Sequence, residues 1–145
     1  VSGNNIWGIS NNYQVYYRKG VTKANPIGTK WIYVDGPEHG LTSISVSGNN
    51  VWGIQLNQKW GVSNTYYRTC VTENTPGGKE WVNVNISNFM KVMNHVSGLN
   101  TISVSGNNIW YVSTNSSISP YYPNNYLCKL PSNFYSSINK CINNS

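Results

Sequence analysis

Acidic side chains are nearly missing from this sequence: its 145 residues hold four Asp+Glu, placed singly at Asp35, Glu38, Glu73 and Glu80. The two histidines, His39 and His95, stand far apart. Catalysis by proton transfer or by a nucleophile draws on carboxylates, imidazoles and activated thiols. The sequence offers no acid pair, metal cluster or nucleophile–base motif, so an enzyme is not expected. The three cysteines form no C-x-x-C and lie away from the histidines, which speaks against zinc. A calcium site would have to lean on carbonyls and amides; no metal and no cofactor are assigned. No apolar run approaches the roughly 20 residues of a membrane span, and no charged-then-apolar leader opens the chain, which reads as mature or excised. Charged residues make up only 10 % of the sequence, and a net charge of +6 comes from Lys and Arg spread singly from Arg18 to Lys140, with only Arg18-Lys19 adjacent. Nucleic-acid surfaces cluster such residues. The pattern reads instead as a basic surface that favours anionic partners.

In place of charge the chain carries aromatic side chains, 13 % of it, together with much Asn, Ser and Gly. It also carries repeats. Val1-Ser2-Gly3-Asn4-Asn5-Ile6-Trp7-Gly8-Ile9 returns as Val46-Ser47-Gly48-Asn49-Asn50-Val51-Trp52-Gly53-Ile54 and as Val104-Ser105-Gly106-Asn107-Asn108-Ile109-Trp110-Tyr111-Val112. Tyr16-Tyr17-Arg18 recurs as Tyr66-Tyr67-Arg68, and the segment from Pro26 to Trp31 and Val34 recurs from Pro76 to Trp81 and Val84. Leu41-Thr42-Ser43-Ile44-Ser45 recurs as Leu99-Asn100-Thr101-Ile102-Ser103. These blocks keep one order along the chain, as duplicated structural units do.

Each block is a short run of β-branched and aromatic residues bounded by Gly, Asn or Pro, the signature of a strand. Ser-Gly-Asn-Asn between two strands reads as a tight hairpin, because Gly and Asn accept the left-handed backbone such turns require. Four strands in a unit of about 40–50 residues is the propeller-blade pattern. The fold expected is therefore all-β: blades of four antiparallel strands, about three to the chain, in a partial propeller over residues 1–130 (units 1–40, 41–98 and 99–130) with a tail at 131–145. The first unit carries material for three strands, the second for four. The third keeps Trp110 and then loses the pattern, with Asn125-Tyr126-Leu127-Cys128-Lys129 as a decayed counterpart of the Tyr-Tyr-Arg strand. Trp7, Trp52, Trp110, Trp31 and Trp81 are expected in the core. Trp60, outside the repeats, is the ring that packing explains least. An insertion at residues 85–97 carries Phe89, Met90, Val92 and Met93.

The succession Ile-Ser-Val-Ser-Gly-x-x-Val-Trp-Gly-Ile, Tyr-Tyr-Arg and Pro-x-Gly-x-x-Trp-x-x-Val resembles the tectonin repeat of fish egg lectin-like proteins. The resemblance runs from about Val1 to Val112 and implies a β-propeller lectin that recognises sugars on microbial surfaces or egg coats without hydrolysing them. Such propellers usually have five or six blades. About three leave open strand edges and uncovered faces, which invite association. Either two or more copies complete a ring or filament as a homo-oligomer, or the chain is a segment of a longer one; the second functional reading is a structural subunit of an extracellular fibre or coat.

Sugar recognition needs amide or hydroxyl partners and an aromatic face. The hairpins Asn4-Asn5, Asn49-Asn50 and Asn107-Asn108, the pairs Tyr17-Arg18 and Tyr67-Arg68, and Trp60 are the candidate glycan contacts. Turn geometry for the Asn residues and edge capping for the Arg residues are the structural alternatives. Cys128 and Cys141, close in sequence, are candidates for a disulfide that leaves Cys70 odd. Asn85, Asn115 and Asn143 begin N-x-Ser sequons. Cysteines and sequons together point to a secreted protein.

Overall fold

The computed structural model describes residues 3–57, 62–84, 99–106, 108–114 and 125–130. They form ten strands: β1 (Trp7–Ile9), β2 (Val15–Lys19), β3 (Lys30–Val34), β4 (Ser43–Ser47), β5 (Asn50–Asn57), β6 (Val62–Arg68), β7 (Trp81–Val84), β8 (Leu99–Ser105), β9 (Asn108–Thr114) and β10 (Asn125–Leu130). The architecture is all-β, a partial propeller of three antiparallel sheets ordered β1-β2-β3, β4-β5-β6-β7 and β10-β9-β8. The strand expected at Asn125 exists and pairs with β9, Cys128 opposite Tyr111.

The repeat sets the register. Trp7 lies opposite Tyr17, and Trp52 opposite Tyr67. Because side chains alternate across a strand, the second sheet presents Ile44, Val46, Val51, Tyr66, Arg68 and Trp81 on one face and Trp52, Ile54, Thr65, Tyr67 and Val84 on the other. The first face receives Trp7, Val15 and Val34 of the first sheet, with Leu41 and Val71 completing that core. Trp7 meets Trp81 edge-on, ring centres 6.2 Å apart. The other face lies against the third sheet, β8 running beside β4 and β5, with Ile102, Val104 and Ile109 buried.

Two core expectations are corrected. Trp7 and Trp52 are 6 % and 0 % exposed, but Trp110, at the same repeat position, is 38 % exposed. Trp31 is 48 % exposed, whereas its counterpart Trp81 is largely covered. The cause is position in the stack. These rings stand on a sheet face, and a sheet face is dried by the next sheet. Trp31 sits on the outward face of the first sheet and Trp110 on that of the third.

The Ser-Gly-Asn-Asn turns close two-residue hairpins, Ser47 pairing with Asn50. Among the described residues of these turns the glycine alone takes a left-handed φ, 54° at Gly3 and 56° at Gly48 and Gly106, which fits a type II′ turn. Asn4 and Asn49 do not share that conformation, so a left-handed backbone is not what selects the asparagines. The second Asn of the turn ties neighbouring sheets instead. Asn5 Nδ2 donates to the Gly48 carbonyl at 2.8 Å, and Asn50 Nδ2 donates to the Gly106 carbonyl at 3.2 Å. Val104 and Gly106 N–H groups donate to the Ser45 and Ser47 hydroxyls at 3.0 and 2.7 Å.

Gly53 is fixed by close approach. Leu41, wholly buried, packs on it so tightly that a Cβ there would stand 2.3 Å from Leu41 Cδ1. Gly53→Ala is expected to cost about 1–3 kcal/mol through overpacking, read as a lowered denaturation midpoint with an unchanged slope.

Candidate functional site

The sheets have two ends. Hairpin turns such as residues 47–50 and the Pro/Gly turns before Trp31 and Trp81 lie at one, the turn end. The connections β1–β2 and β3–β4 lie at the other, the loop end. A groove of about 460 Å³ opens at the loop end, lined by Asn12, Tyr13, Gln14, Tyr33, Gly36, Pro37, His39 and Gly40.

Local chemistry builds this groove. The β1–β2 connection closes through Tyr13 N–H to the Ser10 carbonyl at 3.0 Å and Ser10 N–H to the Gln14 carbonyl at 2.9 Å. Tyr13 takes a left-handed φ of 62°, which carries its ring outward, 45 % exposed. Leu41 N–H then donates to the Tyr13 carbonyl at 3.0 Å, joining the two connections. Gly40, φ 73°, lies so close beneath that a Cβ would stand 2.1 Å from the Tyr13 oxygen; no other residue fits. Gln55 anchors the second connection from below, its Nε2 donating to the carbonyls of Gly40, at 3.1 Å, and Glu38. Tyr33 projects from β3 with its ring 52 % exposed and edge-on to Tyr16, 5.7 Å away. Tyr16 in turn donates to Gln14 Oε1 at 3.0 Å. His39 and Glu38 stand 3.7 Å apart and open to water. Two exposed phenol rings, two side-chain amides and an imidazole thus surround one hollow, a set suited to hydrogen-bonding hydroxyls and stacking on C–H surfaces.

The residues expected at the site from sequence are distributed differently. Asn5 and Asn50 spend their amide N–H groups on the next hairpin, and Asn49 Oδ1 accepts from Asn5 at 3.1 Å. Asn4 and Asn108 are exposed at the turn end, away from the groove. Tyr17 packs on Trp7, ring centres 5.8 Å apart, and Tyr67 on Trp52 at 5.1 Å, so both belong between sheets. Arg68 is 6 % exposed. Its Nε donates to the Gly77 carbonyl at 2.8 Å, a terminal nitrogen donates to the Asp35 carbonyl at 3.4 Å, and the guanidinium stacks on Trp81 at 5.5 Å. Arg18 repeats the arrangement, donating to the Ile27 carbonyl at 2.7 Å and stacking on Trp31 at 5.5 Å. Tyr67 and Arg68 are thus covered by their neighbours rather than open to solvent: the repeat that marks them also buries them. Burial lowers the Arg68 pKa, while the charges of Asp35 and Glu80 raise it.

Cys70, expected to be the odd thiol, is disulfide-bonded. Trp60, Asn107, Cys141, the sequons at Asn85, Asn115 and Asn143, the insertion at 85–97 and the tail lie outside the described residues, as does the Cys128 side chain. Among the described residues no three His, Cys, Asp or Glu stand together to hold a metal ion. There is likewise no helix long and apolar enough to cross a membrane.

A protein-family model described as a propeller matches residues 5–34, the first sheet and its hairpin. Among curated proteins none matches the chain.

Tyr67 generates a pH prediction. Burial pushes its phenol above the ordinary value of 10.0. The unfolded chain therefore ionises first as pH rises, and the stability this group contributes is whole below pH 10 and lost as pH climbs through the folded value. Tyr67→Phe is expected to flatten the alkaline decline of the melting temperature relative to its own value at neutral pH.

Proposed function

We propose that this chain is a secreted glycan-binding lectin of propeller architecture, tectonin-like, which holds sugars without catalysing a reaction. The observation that carries the proposal is the loop-end groove, where Tyr13 and Tyr33 expose ring faces beside the amides of Asn12 and Gln14 and the imidazole of His39. Sugars are recognised by this combination: stacking on an aromatic face for orientation, and planar amides for paired hydroxyls. The propeller family match and the ordered tectonin-like repeat support the reading. Linked copies of one modest site would gain avidity by raised local concentration. A basic net charge of +6 favours anionic sugars.

The second reading, a structural subunit of an extracellular fibre or coat, is favoured by β1 standing, among the described residues, as the outer strand of its sheet. Exposed edges pair with other strands.

A glycan array followed by titration calorimetry of the best hit tests the first reading. Tyr13→Ala and Tyr33→Ala are each expected to weaken binding roughly tenfold, about 1.4 kcal/mol, with the melting temperature lowered slightly by Tyr33→Ala alone, which loses the edge-on contact with Tyr16. No retained glycan, together with filaments that form as concentration rises, would establish the second reading instead.

A further inference from the structure

The β2–β3 and β6–β7 turns share one backbone. Thr22 N–H donates to the Asn25 carbonyl at 3.1 Å, as Thr72 N–H does to that of Thr75 at 3.2 Å. Gly28 and Gly78 N–H groups donate to the same two carbonyls at 3.1 and 2.9 Å. The Thr22 and Thr72 hydroxyls each accept from the N–H three residues on, at 3.0 Å. The charges on this common frame differ. Lys19, Lys23 and Lys30 of the first turn stand where the second has Thr69, Glu73 and Glu80, and Thr29 stands where the second has Lys79. From Arg18 to Trp31 there are four cations and no acid, whereas Arg68 to Trp81 holds two of each. A backbone that forms equally well around glutamates does not require these lysines.

The three ammonium groups are also unneutralised. Lys19 and Lys30 lie directly opposite each other, which sets their Cα atoms about 5 Å apart, and like charges so placed destabilise a sheet. Alternation from Val15 and Val34 puts both on the face turned toward the second sheet, so their exposure at the turn end does not depend on what lies beyond the first sheet. Lys23 follows Thr22 at the tip of the turn and is exposed as well. Among the described residues none of the three pairs with a carboxylate. The acids of this unit, Asp35 and Glu38, lie at the loop end, where the groove is lined by no Lys or Arg. Arg18 is committed elsewhere, to the Ile27 carbonyl and the Trp31 ring.

We propose that Lys19, Lys23 and Lys30 form a second binding site, at the turn end of the first unit, for an acidic polysaccharide bearing sulfate or carboxylate groups. Lys19 and Lys30 bracket one anionic group, which relieves their mutual repulsion, and Lys23 meets another along the polymer. Separation of cations to one end and acids to the other steers a polyanion to this turn and away from the groove. The choice of a polysaccharide as the polyanion rests on the lectin reading; the site itself does not.

The test measures affinity of the full chain for dextran sulfate, with neutral dextran as the blank, over a series of salt concentrations. Lys30→Gln and Lys79→Gln remove the same charge from equally exposed positions in corresponding turns. Lys30→Gln is expected to weaken binding roughly tenfold at low salt and to reduce the slope of log affinity against log salt by about 1, as loss of one counterion-releasing contact does. Lys79→Gln is expected to leave both nearly unchanged. Without polymer, Lys30→Gln melts no lower than the parent chain, since a like-charge pair is gone. No retention of dextran sulfate, or equal losses in the two variants, would overturn the site. Single-stranded DNA competing as strongly as the sulfated polymer would overturn the polysaccharide assignment. Neutral-glycan binding at the groove is read separately, so its failure leaves this result standing.

Discussion

The burial of one sheet's face by the next is the interaction on which the rest of this structure depends. Trp7 and Trp52 are dry because another sheet lies on each, and the paired Tyr17 and Tyr67 extend the same surface. No single sheet of three or four strands dries both its faces, so the stability of each unit resides in its neighbours, as in other stacked repeats. Burying aromatic area of this size outweighs any hydrogen bond at the margins: losing a buried Trp costs about 3–5 kcal/mol, whereas a surface bond contributes about 1 kcal/mol. The turn-end asparagines therefore set register and spacing, while the rings hold the stack together.

That hierarchy explains which features were legible in the sequence. Strands, two-residue hairpins and unit order depend on local pattern, and the repeats display them directly: β4 to β7 follow the blocks in order, and the glycine of each turn takes the φ expected. Even β10, where the repeat has decayed, sets Tyr126, Leu127 and Leu130 among more polar residues and pairs with β9. Environment was not legible. Trp31 and Trp81 are the same residue in the same context, and only a neighbouring sheet distinguishes an exposed ring from a covered one. Arg18 and Arg68 likewise looked like ligand contacts, because repeated polar residues suggest repeated sites. Their partners, the Ile27 and Gly77 carbonyls, are backbone groups that no side-chain pattern announces.

The loop-end groove escaped the repeats for the opposite reason. Its residues come from connections that do not recur, and they meet only because Leu41 bonds to the Tyr13 carbonyl across the gap. A signal was present: residues 35–40 combine Gly36, Pro37, His39 and Gly40 in a non-repeated stretch, and ligand contacts concentrate on loops held by a rigid scaffold. Gln55 is a further case. It occupies a strand position but serves the loop, reaching back to hold two of its carbonyls.

The asparagine bonds at the turn end have a direction. Among the described residues, Asn5 donates to the following turn and Asn50 donates to the one after it. A stack tied in this manner has a polarity, like a row of hooks all facing one way. Copies that joined by the same bonds would meet front to back, through two different surfaces. Such heterologous contacts generate closed rings or open helices, and they exclude a dyad-related pair in which both partners use one patch.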